Sequence, residues 1–191
     1  MILPIVKYGH PALRQKGLRI EKITPEIQEL IANMLETMYA AAGVGLAAQQ
    51  VGRALQLTVI DVRSVKDRPS TLEIGGLAAE PASLMPLVLI NPQIQPSGQT
   101  MAGPEGCLSF PEIYADIARP ESVQVQALNA KSETVEFKAG GLLSRAIQHE
   151  VDHLNAILFI DRMGSADSSN LRPELEDLQA GTKAELKRQK G

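Results

Sequence analysis

"IQHEVDHLN", residues 147–155, holds two of the chain's three histidines, four residues apart, with a glutamate directly after the first. On a helix, positions i and i+4 share a face with Cβ atoms about 5–6 Å apart. Two imidazoles so placed can converge on one metal ion at roughly 2.0–2.1 Å each. Glu150 projects beside His149 and His153. It is too near in sequence to be the natural third ligand, but it is placed to take a proton from a metal-bound water. The pattern is H-E-x-x-H. A solvated helix face can carry the same residues, but the third histidine, His10, is far away and the flanks of the stretch are apolar.

Outward from this stretch the chain reads as helix and strand. The helix is expected over 142–154, with Leu142, Leu143, Ala146, Ile147 and Leu154 as packing positions. Before it, "SVQVQALN" (122–129) and "ETVEFKA" (133–139) alternate apolar and polar and predict an antiparallel hairpin with one buried face, ended by Gly140 and Gly141. After it, "ILFID" (157–161) reads as a short strand. A second helix is expected over 25–40, where Thr24 can cap, Pro25 suits the first position, and Ile27, Leu30, Ile31, Met34, Leu35 and Met38 form one stripe. "LQLTVID" (55–61) and "LVLINP" (87–92) read as strands, the latter closed by Pro92, and 63–82 as a long loop or loose hairpin. After Gly164, "SADSSN" reads as a linker and 173–190 as a charged helix weakened by Gly181, its basic end a solvated terminus.

Composition narrows the class. The 191 residues fit one domain with a sizeable core, and 44% hydrophobic against 21% charged residues is typical of a globular protein. Only 3% are aromatic, so aliphatic side chains must build that core. A net charge of −3 argues against nucleic acid as the main partner of the catalytic part. The lone cysteine, Cys107, excludes an internal disulfide and fits a reducing compartment. The N-terminal stretch lacks the pattern of a secretory signal, and the longest apolar run, 84–90, falls short of the ~18 residues that span a bilayer.

A catalytic metal needs a third protein ligand and an open position. Cys107 lies in "GPEGCLSFP" (103–111), whose glycines and prolines predict a loop or irregular edge where a thiolate can reach a metal. One thiolate and two neutral imidazoles would leave a divalent ion with a net charge of +1. That weakens its Lewis acidity and raises the importance of Glu150 as base. Such a donor set also suits ferrous iron. A third piece, "GVGLAAQQVG" (43–52), lets backbone or ligand approach closely, and Gln49 or Gln50 could aim an amide at a developing oxyanion.

Together, "GVGLAAQQVG", "EGCLS" and "QHEVDHL" resemble the three motifs of the peptide deformylase family, in order and at similar intervals, over about residues 3–163. The resemblance implies an α+β fold in which antiparallel or mixed β-sheets surround a central helix carrying H-E-x-x-H. It divides the chain into a catalytic domain at 1–164 and a linker with a charged helical tail at 165–191. It implies removal of the N-formyl group from the formylmethionine of newly made polypeptides, metal-bound hydroxide attacking the formyl carbon with Glu150 as general base and acid. Cys107, His149 and His153 would hold one divalent ion, ferrous iron natively, with zinc, nickel or cobalt also compatible. Gln49 and the backbone N–H of Leu108 would polarise the formyl oxygen. Gly43, Val44, Gly45, Glu105 and Gly106 would line the substrate, with Ile147 as a wall of the methionine pocket. Glu105 would pair with Arg119 and brace the cysteine segment. The implied setting is the bacterial cytoplasm, with nascent formyl-methionyl peptides as partners and no membrane association; a ribosome contact is a separate hypothesis that rests on the basic tail alone.

Two positions depart from the family's pattern. Ala156 stands where many relatives have glycine, so the turn there is expected to differ. Arg145, one turn before His149, is expected to point outward, since arginine is rarely buried unpaired. From residue types alone three other readings stay open: a zinc peptidase with a different third ligand, a thiol hydrolase with Cys107 as nucleophile, and a structural metal site closed by Asp152.

Overall fold

The computed structural model describes residues 1–189; Lys190 and Gly191, the end of the expected basic tail, lie outside the described residues. Helix α1, Pro25–Ala40, begins where Thr24 accepts a hydrogen bond from the Ile27 amide and Pro25 occupies the first turn. Its stripe of Leu30, Ile31, Met34 and Met38 is buried against Leu46, Leu57 and Val59. Those last residues belong to β1, Gly45–Ala47, and β2, Leu57–Ile60.

The strands β3 (Ser70–Ile74), β4 (Leu77–Ala79), β5 (Leu87–Cys107), β6 (Phe110–Leu128) and β7 (Thr134–Gly140) complete one seven-stranded antiparallel sheet. Its order is β1-β2-β5-β6-β7-β3-β4. The expected hairpin is the pairing of β6 with β7, where Val123, Val125 and Phe137 are buried. Residues 63–82 supply the β3–β4 hairpin, which joins the sheet through β7.

Pro92 does not close its strand. The register shifts between Ile90 and Gln93, Asn91 takes a left-handed φ of 52°, and β5 runs on to Cys107. A bulge accommodates a residue that cannot donate to the ladder and bends the strand as it does so. Further shifts at Ser97/Thr100 and Gly106/Cys107 add to the bending.

Helix α2, Gly141–Leu154, is wrapped by this sheet: it packs against β6, β1, β2, β3, β7 and β5. In a flat sheet β1 and β3 would lie about 24 Å apart, five strand spacings, too far for one helix about 10–12 Å wide to touch both. The sheet therefore curls around α2. From Leu142 to Leu154 the helix is buried at every position but the half-buried Arg145. Leu143, Ile147 and Val151 enter the sheet's core, and its polar residues are buried with them. Each of those polar groups then needs a partner or a function.

After α2 the expected strand at 157–161 is instead a 3-10 turn, Phe159–Arg162. The Leu158 amide donates to the Asp161 carboxylate at 2.8 Å, and Arg14 holds the same carboxylate, so the backbone is closed locally and not offered to a strand. The turn before it does keep a left-handed residue: Ala156 has φ 62°. A left-handed alanine costs about 1–2 kcal/mol, partly offset by the freedom that glycine would lose on folding. Ala156→Gly should stabilise the fold by about 0.5–1 kcal/mol, read as a higher denaturant midpoint with unchanged slope.

The expected linker is a short helix, α3, Ser165–Asn170, and α4, Arg172–Arg188, runs straight through Gly181. Its apolar side is not solvated. Leu171, Leu175 and Leu178 pack on the cluster of Leu13, Phe110, Ile117 and Phe159, and Thr182 is buried. The leucine spacing of 171, 175 and 178 is a helical stripe, which the surrounding charge masks in the sequence.

Candidate metal centre

Helix α2 sets His149 and His153 one turn apart, their ring centroids separated by 5.1 Å. Cys107 comes from the far end of β5, where a two-residue turn, Leu108–Ser109, leads into β6 and Cys107 pairs with Phe110. The cysteine thus sits at a hairpin tip beside the register shift at Gly106/Cys107, so of the loop or irregular edge expected the structure has the irregular edge. Its Sγ lies 3.3 Å from His153 Nε2. The ligand atoms of Cys107, His149 and His153 all lie within 4.8 Å of one another, and among the described residues they form the one such cluster. Ligands bound tetrahedrally at about 2.0–2.3 Å sit roughly 3.3–3.8 Å apart, so this donor set fits a metal ion.

The surrounding groups orient these donors. His149 Nδ1 is 2.9 Å from Glu105 Oε2, which leaves Nε2 free to face Cys107. Glu105 also accepts from Arg119 Nε at 2.5 Å and Nη2 at 3.0 Å. Burial alone would raise the Glu105 carboxyl, but the hydrogen bonds and charges of His149 and Arg119 outweigh it and hold it down at about 2. His153 is held well below its ordinary value chiefly by burial, which keeps its imidazole neutral. Burial pulls His149 the same way, but hydrogen bonds to Cys107 and Glu105 raise it well above normal. A proton and a cation compete for that same lone pair.

Arg119 is 2% exposed and also donates to Asp152 at 2.8 Å. Asp152 is further held by Arg162 at 2.6 and 2.5 Å, so both its oxygens are engaged with guanidinium groups and it does not close the metal site. Arg119→Ala would strip a buried counter-charge from Glu105 and Asp152 together. It should cost about 3–5 kcal/mol, measured by chemical denaturation.

Glu150 lies next to His149 with its carboxylate against Gly45, where a Cβ would collide with it. Its Oε2 is buried without a partner. Burial, reinforced by the nearby Glu105 charge and opposed by that of His149, pushes the carboxyl up to about 7. A carboxyl so placed is suited to accept and return a proton near neutrality.

A cleft of about 410 Å³ opens beside these groups. Gly43, Val44 and Gly45 flank it on one side, Glu105, Gly106 and Leu108 on the other. Gly43 and the Leu108 side chain meet across it so closely that a Cβ on Gly43 would be 2.7 Å from Leu108 Cδ1.

Three expectations about side-chain direction are corrected. Gln49 is fully buried, its amide 3.5 Å from the Gln15 carbonyl, and it does not reach the cleft. Its neighbour Gln50 does: Nε2 is 3.4 Å from Cys107 Sγ and 3.3 Å from Ser109 Oγ, while Oε1 accepts from the Ala47 amide at 2.8 Å. Both sit in one 3-10 turn, Ala48–Val51, where successive residues point about 120° apart. Ile147 is fully buried in the sheet's core and does not line the cleft. Two residues before His149 on a helix is the opposite face; the cleft is lined instead by Leu142, Arg145 and Ala146, at helical spacing from His149. Arg145 does not point outward: its side chain is 13% exposed and bonded to Glu105 at 2.9 Å. It escapes the rule against buried arginine because it is paired.

Comparison with known proteins agrees with this geometry. A family model described as polypeptide deformylase matches residues 2–169. A peptide deformylase of Salinibacter ruber is 45% identical over 182 residues, covering 95% of this chain and 90% of that protein. One from Methylacidiphilum infernorum is 45% identical over 181 residues, 95% of each chain. The crystal structure of a peptide deformylase from Synechococcus elongatus in complex with actinonin superposes with a TM-score of 0.74 at 39% identity, over 94% of this chain and 85% of that one. A plant peptide deformylase superposes with a TM-score of 0.82 at 35% identity, over 96% and 92%.

Proposed function

The chain belongs to the peptide deformylase family, and from that premise we propose how its own residues carry the reaction. It is a metal-dependent hydrolase that removes the N-formyl group from the formylmethionine of newly made polypeptides. We assign Cys107, His149 and His153 as the ligands of one divalent ion, and ferrous iron as the native one. The reading is carried by a single observation: a sulfur and two imidazoles from distant elements lie within 4.8 Å of one another, beside a buried carboxylate oxygen with no partner.

A divalent ion held by Cys107, His149 and His153 would supply Lewis-acid chemistry to the formyl carbonyl and the attacking water. Glu150 takes the proton of the attacking water and returns it to the leaving amine. The Gln50 amide, not that of Gln49, donates to the oxyanion, together with the backbone N–H of Leu108. Glu105, fixed by Arg119, keeps His149 in the tautomer and orientation that face the cysteine. Gly43, Val44 and Gly45 leave room for the substrate backbone, and Leu142 and Ala146 offer apolar contact to the methionine side chain.

Residues 1–164 are read as the catalytic unit and 165–191 as the linker and tail, of which α4 packs against that unit through Leu175 and Leu178. The exposed Lys183, Lys187 and Arg188 on α4 are the proposed ribosome contact, tested by loss of co-sedimentation on reversing their charges. No helix among the described residues is long and apolar enough to cross a membrane, and a cytoplasmic setting is proposed on the substrate's account. The direct test is metal analysis of protein purified without oxygen, alongside formate release from a formyl-methionyl peptide. Cleavage of internal peptide bonds with the formyl group left intact would overturn the reading.

A further inference from the structure

The cleft beside the metal ligands shares a wall with a second cavity of about 790 Å³, bounded by the β3–β4 hairpin and by β5, β6 and β7. Arg68, Pro104, Leu142 and Arg145 line both. Arg145 fills the space between them. Its guanidinium lies on Gly103, where a Cβ would stand 3.1 Å from Nη2. Nη2 donates to the Met101 carbonyl at 2.8 Å. Nη1 donates to the Ile117 carbonyl at 2.7 Å, to Glu105 at 2.9 Å and to the Gly103 carbonyl at 3.4 Å.

Those acceptors belong to β5 and β6, so the guanidinium is pinned across the strands that floor the cleft. Both of its terminal nitrogens are engaged by the protein itself. Arg145 therefore acts as a wall and not as an anion-binding group. Beside it, Gly103 carries no side chain and Leu142 is apolar and 7% exposed. With the guanidinium gone, an unbranched chain would pass between apolar carbon and backbone into the second cavity.

We propose that Arg145 is a specificity-determining residue: it is the partition that limits how long a first side chain the cleft accepts, and the cavity behind it is a latent extension for longer unbranched apolar side chains. This rests on the deformylase reading above.

The test uses the metal-loaded full chain and formyl peptides that differ only in the first side chain, methionine against linear alkyl chains two and four carbons longer. The readout is kcat/KM for the long chain divided by kcat/KM for methionine. Each newly buried methylene is worth about fourfold. Arg145→Ala should thus raise the ratio for the two-carbon extension by about 15-fold over wild type. Arg145→Gln shortens the side chain but keeps an amide for Glu105; it should raise the ratio less, and carries the test if the alanine variant does not fold. Arg145→Met keeps the bulk and loses the Glu105 bond, so methionine turnover falls while the ratio stays near wild type. A ratio unmoved by the two shorter side chains, or raised equally by methionine, overturns the partition. A wild type inert towards formyl-methionyl peptide overturns the reading of the reaction itself, and this proposal with it.

Discussion

Glu150→Gln should leave a folded, metal-containing protein whose turnover of formyl-methionyl peptide is lower by about 10²–10⁴-fold, the usual contribution of a positioned acid–base group. The side chain is 5% exposed, and one oxygen has no hydrogen-bond partner. Its carboxyl is pushed up to about 7, chiefly by burial. Glutamine has the same shape and no charge, so the substitution leaves neither a cavity nor an unpaired ion. Glu150 is also outside the cluster of Cys107, His149 and His153, so metal content should match wild type. The two measurements, metal per chain and kcat, are made on one preparation. Turnover within about tenfold of wild type would remove Glu150 from the role of proton carrier. Metal lost along with activity would make it a ligand instead.

Cys107→Ala should take the metal with it. The sulfur supplies the only anionic ligand of the set, and without it two neutral imidazoles face the cation alone. Loss of a group that merely orients a ligand costs about 10–100-fold in metal affinity, so loss of the ligand itself should cost at least about 100-fold. Cys107 is half-buried at a hairpin tip, which makes the loss of its sulfur tolerable to the fold. Elemental analysis after dialysis reads the result. Wild-type occupancy in the variant would mean a different third ligand and would favour the peptidase reading. The companion measurement separates the thiol-hydrolase reading, which the 3.3 Å approach of Cys107 to His153 also allows. Wild-type activity should vanish with chelator and return with metal. Activity that survives chelation would make the thiol the nucleophile.

The elements whose signal is local were legible in the sequence. The α1 stripe, the alternating strands of the β6–β7 hairpin and the H-E-x-x-H helix all declare themselves within a dozen or so residues. The misreadings have non-local causes. Pro92 looks terminal until the bulge at Asn91 is seen to carry β5 past it. The 157–161 segment looks extended until Arg14, far away in sequence, is found holding the Asp161 carboxylate that closes it. The docking of α4 depends on Phe110 and Phe159, aromatic residues far from it in sequence.

What the sequence by itself determined was the inventory: two imidazoles on one helix face, a carboxylate between them, a single sulfur, and helix and hairpin in the right order. Spacing along one helix is fixed by covalent geometry and needs no partner. Only the tertiary structure decided which groups meet. It turned Gln50 and not Gln49 to the cleft, sent Ile147 into the core, and folded Arg145 inward onto Glu105 and the backbone carbonyls of β5 and β6. Those choices depend on packing across the curled sheet, where a neighbour's shape and charge outweigh any residue's own preference.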